Sequence, residues 1–463
     1  MSKFLSQTED IICAISSPPG VGAIALVRLS GKGSIELFNT VFNKNITEAK
    51  GYTVHFGEVL KNKATLDEVV VTIFRNPQSF TGEDTLEIAC HGSKYIQQEL
   101  LQLLIEKGAR MALAGEFSKR AFYNGKLDLA QTESIADLIH SESEGAHRLA
   151  MQQMKGGISK ELQVLRSKLI HFASLIELEL DFSEEDVEFA NRTALINLVT
   201  EVLKVLHQLL TSFQMGNAIK NGVNVAIVGK PNAGKSSWIN ALTDDEVAIV
   251  SNIPGTTRDK IEVPITIEGI EFRLIDTAGL RETDDIIEGI GVRKAKEVIG
   301  KAAIIIYMIE ISELSHEAIE EQMKDISELN DEASSLILIN KADTIENGWT
   351  DLAKAYSHIS NLKFVAANSE ESIQTVKTEL VDIIKKSSIT QNDVIISNAR
   401  HFEALKNAEM DLLKVSEGLK TSMSGDFLAM DIRQALYHLG TITGEVSTDD
   451  LLGNIFANFC IGK

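Results

Sequence analysis

The chain has 463 residues, 44% hydrophobic and 24% charged, an ordinary globular composition too long for one hydrophobic core, so about three domains are expected. A net charge of −21 and a pI near 5 argue against tight, non-specific wrapping of nucleic acid, because phosphate contacts need Lys and Arg. The first residues lack an apolar core flanked by bases, no stretch approaches the length of a membrane span, and Cys13, Cys90 and Cys460 make neither a disulfide framework nor a zinc pattern, so a reducing, cytoplasmic compartment is expected.

Residues 1–122 alternate the β-type runs ICAISS, AIALVRLS, VVVTIF and LEIAC with helical stretches such as 95–107. Turn signals at Pro18-Pro19-Gly20 and Gly31-Lys32-Gly33 punctuate them, which predicts a small α+β domain. Within it Cys13 and Cys90 are expected as buried small hydrophobes, and His91 as a hydrogen-bonded loop histidine. Residues 123–215 turn helical, with Leu162, Leu165, Leu169, Phe172 and Ile176 on one stripe, the pattern of a bundle helix. The seven acids within 177–188 (ELELDFSEEDVE) predict a solvated helix end and loop.

From 216 to 384 the apolar runs NVAIVG, FRLIDTAG, AIIIYMIE, SLILIN and LKFVAAN alternate with helical stretches. Nearly continuous apolar strands between helices imply a mainly parallel sheet covered on both faces. Helical periodicity resumes over 385–463. An α/β domain flanked by helical segments suggests insertion into one helical domain built from two chain segments, 123–215 and 385–463.

The sharpest signal is GKPNAGKS (229–236), a full G-x-x-x-x-G-K-S between the strand NVAIV and a helical segment. Its backbone N–H groups can cradle phosphates, Lys235 brings charge to the β- and γ-phosphates, and the Ser236 hydroxyl suits Mg²⁺. Asp276 of DTAG suits the Mg²⁺ shell, and the Gly279 N–H can meet the γ-phosphate. Thr257 of GTTRD can be presented to Mg²⁺. In NKAD, the strand-ending Asn340 and Lys341 lead to Asp343, whose carboxylate can accept from N1–H and the 2-amino group of guanine. Adenine offers neither donor, so the order of segments points to GTP.

Two positions depart from the usual pattern. Leu280 follows DTAG where Ras-like GTPases carry a water-orienting Gln, so water must be positioned by another group or an ion. The base-backing loop holds Ala366-Ala367-Asn368 where Ser-Ala-Lys is usual. The chain closes on FCIGK, formally a Caa-X ending, although Gly and Lys suit its last two positions poorly. The alternatives are a frayed tail or a tail that is part of a site.

The sequence resembles the MnmE (TrmE) family of tRNA-modifying GTPases over nearly its whole length. The resemblance rests on SSPPGVGAIALVRLSG, SFTGEDTLEIACHG, NGKLDLAQTESIADLI, the nucleotide motifs and the CIGK end. It implies an N-terminal folate-binding and dimerising domain (1–122), the split helical domain, and an inserted GTPase domain (216–384). It further implies a homodimer acting with an FAD- and NADH-dependent partner, MnmG (GidA), on tRNA. The pair would add an aminomethyl-type group at carbon 5 of the wobble uridine, drawing on a tetrahydrofolate one-carbon unit. Asn232 resembles a potassium ligand, with Ser251, Ile253 and Thr256 nearby; potassium there could offset charge developing in the transition state. Ala233, Gly234 and Ser237 complete the nucleotide cradle. Glu288 matches a glutamate thought to position water when two GTPase domains face each other. Arg28, Glu87, Lys126 and Lys463 match folate-contacting positions: the cations suit carboxylates, and the acid suits pterin donors. By the same resemblance CIGK folds back toward the folate with Cys460 near the one-carbon unit, which disfavours prenylation.

Two rival readings stand beside this one. A ribosome-assembly GTPase of the Era or EngA type would share the P-loop, but neither a KH-like GxxG platform nor a second GTPase domain is found. A GTP-switched scaffold without modification chemistry would leave the redox steps to its partner.

Overall fold

The computed structural model describes all residues except 1–9, 182–191, 245–261, 277–298, 318, 321–323, 325–329, 331–332, 346–348, 360, 386–393, 422, 447–448, 458, 460–461 and 463. The chain divides into two compact units. Met1–His140, Met151–Val202 and Asn407–Lys463 form the first; Ser141–Ala150 and Leu203–Lys406 form the second.

The first unit begins with β1 (Ile12–Ile15), β2 (Ile24–Ser30), α1 (Ser34–Asn39), β3 (Thr53–Lys61), β4 (Ala64–Phe74), β5 (Thr85–His91), α2 (Lys94–Glu106) and β6 (Arg110–Met111). They make a six-stranded sheet in the order β3-β4-β5-β2-β1-β6, antiparallel except for the β1–β6 pair. Alternation along β4 buries Val69, Val71 and Ile73 on the face where α2 packs Leu100, Leu103 and Leu104. That is the period-2 strand against the 3.6-period helix stripe. Cys13 and Cys90 lie in this core as expected, and burial pushes both thiols up to about 11. His91 is the last residue of β5 rather than a loop residue. Its Nδ1 lies 2.7 Å from Asp67 Oδ1, so the expected hydrogen bond is present.

Helices α3 (Glu116–Tyr123), α4 (Leu129–Ile139), α5 (Glu144–Met154), α6 (Gly157–Asp181) and α7 (Arg192–Asn221) follow. Helix α4 opens on a capping box: the Asp128 side chain accepts from Gln131 N, and Gln131 Oε1 accepts from Asp128 N. In α6 Leu162, Leu165, Leu169 and Ile176 are buried as their spacing predicts, but Phe172 is only half-buried and Ala173 takes the inward position. Part of the acidic run, 182–188, lies outside the described residues.

The expectation about membrane-length segments needs correction. Helix α7 has a window of mean hydropathy 1.3, long and apolar enough by length and composition to span a bilayer. Its apolar residues are spread over several turns, interrupted by polar ones, rather than gathered in one run. Leu195, Leu198, Val199, Val202, Leu206 and Leu209 are buried at three- and four-residue intervals, the one-sided stripe of an amphipathic helix.

The second unit contains β7 (Val223–Gly229), α8 (Lys235–Asp244), β8 (Glu262–Ile267), β9 (Ile270–Asp276), β10 (Ile304–Glu310), β11 (Ser334–Asn340), α9 (Trp349–Ala355), β12 (Leu362–Phe364) and α10 (Glu370–Lys385). Its sheet runs β12-β11-β10-β7-β9-β8 and is parallel except where β8 meets β9. Apolar clusters cover both faces, one including Trp238 and Leu380, the other Tyr307 and Tyr356. Helices α11 (Ala399–Lys420), α12 (Gly425–Thr443) and α13 (Asp449–Ala457) complete the described chain, and α12 packs along α6 in the first unit.

Candidate functional site

The nucleotide motifs converge at the carboxyl ends of β7, β9, β10 and β11, where open α/β sheets bind ligands. Asn232 bends the loop after β7 with φ 66, and Gly234 continues it with φ 95. A Cβ on Gly234 would lie 2.2 Å from Asn340 Nδ2, so only glycine fits. That close approach is used: Asn340 Nδ2 donates to the Ala233 carbonyl at 2.8 Å, and Trp238 Nε1 donates to Asn340 Oδ1 at 2.9 Å. The asparagine of NKAD thus ties the phosphate loop to β11 and to the helix that follows it.

Lys235 is buried at the start of α8, its Nζ donating to the Gly229 and Lys230 carbonyls at 3.0 and 2.8 Å. Ser236 Oγ donates to Asp276 Oδ2 at 3.1 Å, which unites the two groups expected around Mg²⁺. Ser237 is exposed one residue further along the first helical turn. Lys341 adopts φ 62 at the end of β11 and pairs with Glu310 at 2.9 Å, a bond that holds the Glu310 carboxyl below its usual range. Asp343 is exposed in the following turn, and Asn368 Nδ2 donates to its Oδ2 at 3.0 Å. Ser251, Ile253, Thr256, Thr257, Gly279 and Glu288 lie outside the described residues.

A second cluster lies in the first unit. Arg28 on β2 and Glu87 on β5 stand directly opposite in register. Arg28 Nε and Nη2 donate to Glu87 Oε1 at 3.1 and 2.6 Å. The guanidinium lies 5.8 Å from the Phe80 ring and 5.6 Å from the Phe117 ring. Its Nη1 donates to the Gly462 carbonyl at 3.1 Å, and Ser16 Oγ donates to the same oxygen at 3.0 Å. Lys126 is exposed and its Nζ donates to the Pro77 carbonyl at 2.9 Å, so it does not join the Arg28–Glu87 pair directly. Cys460 and Lys463 lie outside the described residues, yet Gly462 between them reaches Arg28. Ser16, Phe80, Phe117 and Trp238 were not singled out from sequence. A serine or phenylalanine signals nothing until the fold brings it beside a partner.

Two family models match: the GTP-binding protein TrmE N-terminus over residues 11–126 and the MnmE helical domain over residues 129–460. Among curated proteins, the tRNA modification GTPase MnmE of Cytophaga hutchinsonii is 49% identical, covering 99% of this chain and 99% of its own length. That of Flavobacterium johnsoniae is 48% identical, covering 98% of this chain and 99% of its own. Among solved structures, the G domain of the T. maritima FeoB iron transporter is 27% identical with a TM-score of 0.26, covering 35% of this chain and 99% of its own. Aquifex aeolicus Era is 23% identical with a TM-score of 0.28, covering 41% of this chain and 67% of its own. Scores that low add no weight beside the full-length relatives. The family models together span both flanks of the phosphate loop, and the relatives align end to end: the chain belongs to the MnmE family of tRNA modification GTPases.

Proposed function

We propose that this GTPase modifies tRNA together with an FAD- and NADH-dependent partner of the MnmG (GidA) type. The pair adds an aminomethyl or carboxymethylaminomethyl group to carbon 5 of the wobble uridine, and a tetrahydrofolate supplies the one-carbon unit. The domains are 1–122 for folate binding and dimerisation, 123–215 with 385–463 for the helical domain, and 216–384 for GTP. The observation carrying the folate part is the meeting of Arg28, Glu87 and the Gly462 carbonyl, a cation and an acid beside a chain end with matching residues. Val54, Phe56 and Val70 are exposed side by side on the edge hairpin β3–β4, an apolar face suited to a homodimer. No ribosome-assembly role is needed to explain any of these features.

At the GTP site Lys235 neutralises phosphate charge, the N-terminus of α8 supplies N–H donors, and Ser236 with Asp276 holds Mg²⁺. Bound Mg²⁺ supplies charge stabilisation at the phosphates. Asn232, Ser251, Ile253 and Thr256 form the potassium site, and Glu288 orients water. Lys126 and Lys463 hold the folate carboxylates, and Cys460 lies beside the one-carbon unit.

Mass spectrometry of tRNA nucleosides from a deletion strain tests the central claim. The wobble uridine modification is expected to disappear and to return with the intact gene. Unchanged nucleosides would sink the modification reading and leave a GTPase of another client.

A further inference from the structure

A carboxylate reads guanine only if its plane is fixed, because N1–H and the 2-amino group are two parallel donors that need two oxygens at once. Asp343 stands in an exposed turn after β11 and would otherwise rotate freely about its side-chain bonds. Asn368 supplies the constraint. Its amide nitrogen lies 3.0 Å from Asp343 Oδ2, and since a carboxylate only accepts, the amide must present its N–H there.

The arm carrying Asn368 is itself fastened. Val365 N donates to the Ile339 carbonyl at 2.9 Å, and Ala342 N donates to the Val365 carbonyl at 3.1 Å, so the two loops leave adjacent parallel strands already joined. Ala366 N donates to Ser372 Oγ at 3.2 Å, and Ser369 N to the Ala366 carbonyl at 3.0 Å, which binds the loop to the start of α10. We propose that Asn368 is a positioning residue for guanine recognition, orienting Asp343 in a loop that holds Ala366 and Asn368 where serine and lysine are usual.

The chemistry favours an amide here. A neutral N–H occupies one lone pair of Oδ2 and leaves Oδ1, a second lone pair on Oδ2 and the full negative charge for the base. An aspartate at this position would repel the carboxylate.

The inference rests on Asp343 being the guanine acceptor, and the experiment separates the two claims. Affinities of the full-length protein for GDP and for IDP, which lacks the 2-amino group, are measured for wild type, Asn368→Ala, Asp343→Ala and the double variant. Asn368→Ala is expected to weaken GDP about fivefold, the weight of one hydrogen bond. IDP should weaken less, so the preference for GDP narrows. In the Asp343→Ala background the second substitution should change nothing. If Asp343→Ala leaves GDP binding intact, the acceptor reading itself fails. If Asp343→Ala weakens GDP but Asn368→Ala does not, or if the two losses multiply, Asn368 is not acting through Asp343 and the proposal is overturned. Asn368→Asp adds a check without a cavity: it should weaken GDP more than Asn368→Ala does, and an equal or smaller effect would also count against the proposal.

Discussion

Gly462 shows how much a missing side chain can decide. Its φ is 98, and a Cβ there would lie 2.4 Å from the Ile15 carbonyl oxygen, closer than any real contact. Only glycine lets its carbonyl turn toward Ser16 and Arg28 at 3.0 and 3.1 Å. Gly462→Ala should therefore loosen the tail while leaving the GTP site untouched. Calorimetric titration with 5-formyltetrahydrofolate is expected to show affinity down at least tenfold, as for a protein lacking its last four residues, with GDP affinity unchanged. Equal folate binding by all three proteins would return the tail to another role.

Individual elements were legible in sequence to the degree that their residues signal alone. The strands β7, β10 and β11 were foreseen because their apolar runs are nearly unbroken, and β9 because its alternate residues are apolar and buried and it leads into DTAG. Three strands were not, and of these β6 is only two residues long, too short for any periodicity. In β3 the residues Val54 and Phe56 point outward and are 64% and 56% exposed, so alternation carries no clear inside. In β8 Pro264 argues against a strand, yet β8 is a sheet edge, where proline is tolerated. The P-loop was read directly because its parts are contiguous. The Asp343–Asn368 and Ser16–Gly462 bonds were not, because they join residues 25 and 446 positions apart.

Helix α3 depends on one buried cation. Arg120 is 2% exposed and binds Asp10 at 2.5 Å, Glu83 at 3.1 Å and Glu116 at 3.3 Å. Arg110 completes the cluster through Asp10 and Glu116 at 2.7 and 2.6 Å. Burial alone would raise the carboxyls of Asp10 and Glu116, but the arginine hydrogen bonds outweigh it and hold both below their ordinary values of 3.8 and 4.5. Groups lowered in this way stabilise the fold above those values, and the contribution is lost as pH falls through the lowered ones. Arg120→Ala should cost about 3 kcal/mol in denaturant unfolding, the low end for breaking a buried pair, since Asp10 is partly exposed. The variant should also show a smaller loss of stability between pH 5 and 3 than the parent does, about one unit either side of the ordinary carboxylate range.

Across the whole molecule the acidic balance of −21 argues for transient rather than tight contact with tRNA, and the proposed partner would carry most of the basic surface. The proposed potassium site and the proposed pairing of GTPase domains make a joint prediction. Turnover per molecule should rise with protein concentration in potassium and stay low and flat in sodium. Equal, concentration-independent rates in both salts would remove the ion site at Asn232 and the paired arrangement together.

The bond between Ser16 and Gly462 also sets a schedule. The strands around Ser16 leave the ribosome early, and their partner emerges 446 residues later, on the order of 20 to 90 seconds at ordinary rates of synthesis. Once Glu87 has emerged, Arg28 can hold it for the rest of that interval, but not the Gly462 carbonyl. A folate bound as proposed would meet this carbonyl only after residue 462 has been made, so the N-terminal strands alone would present an unfinished site.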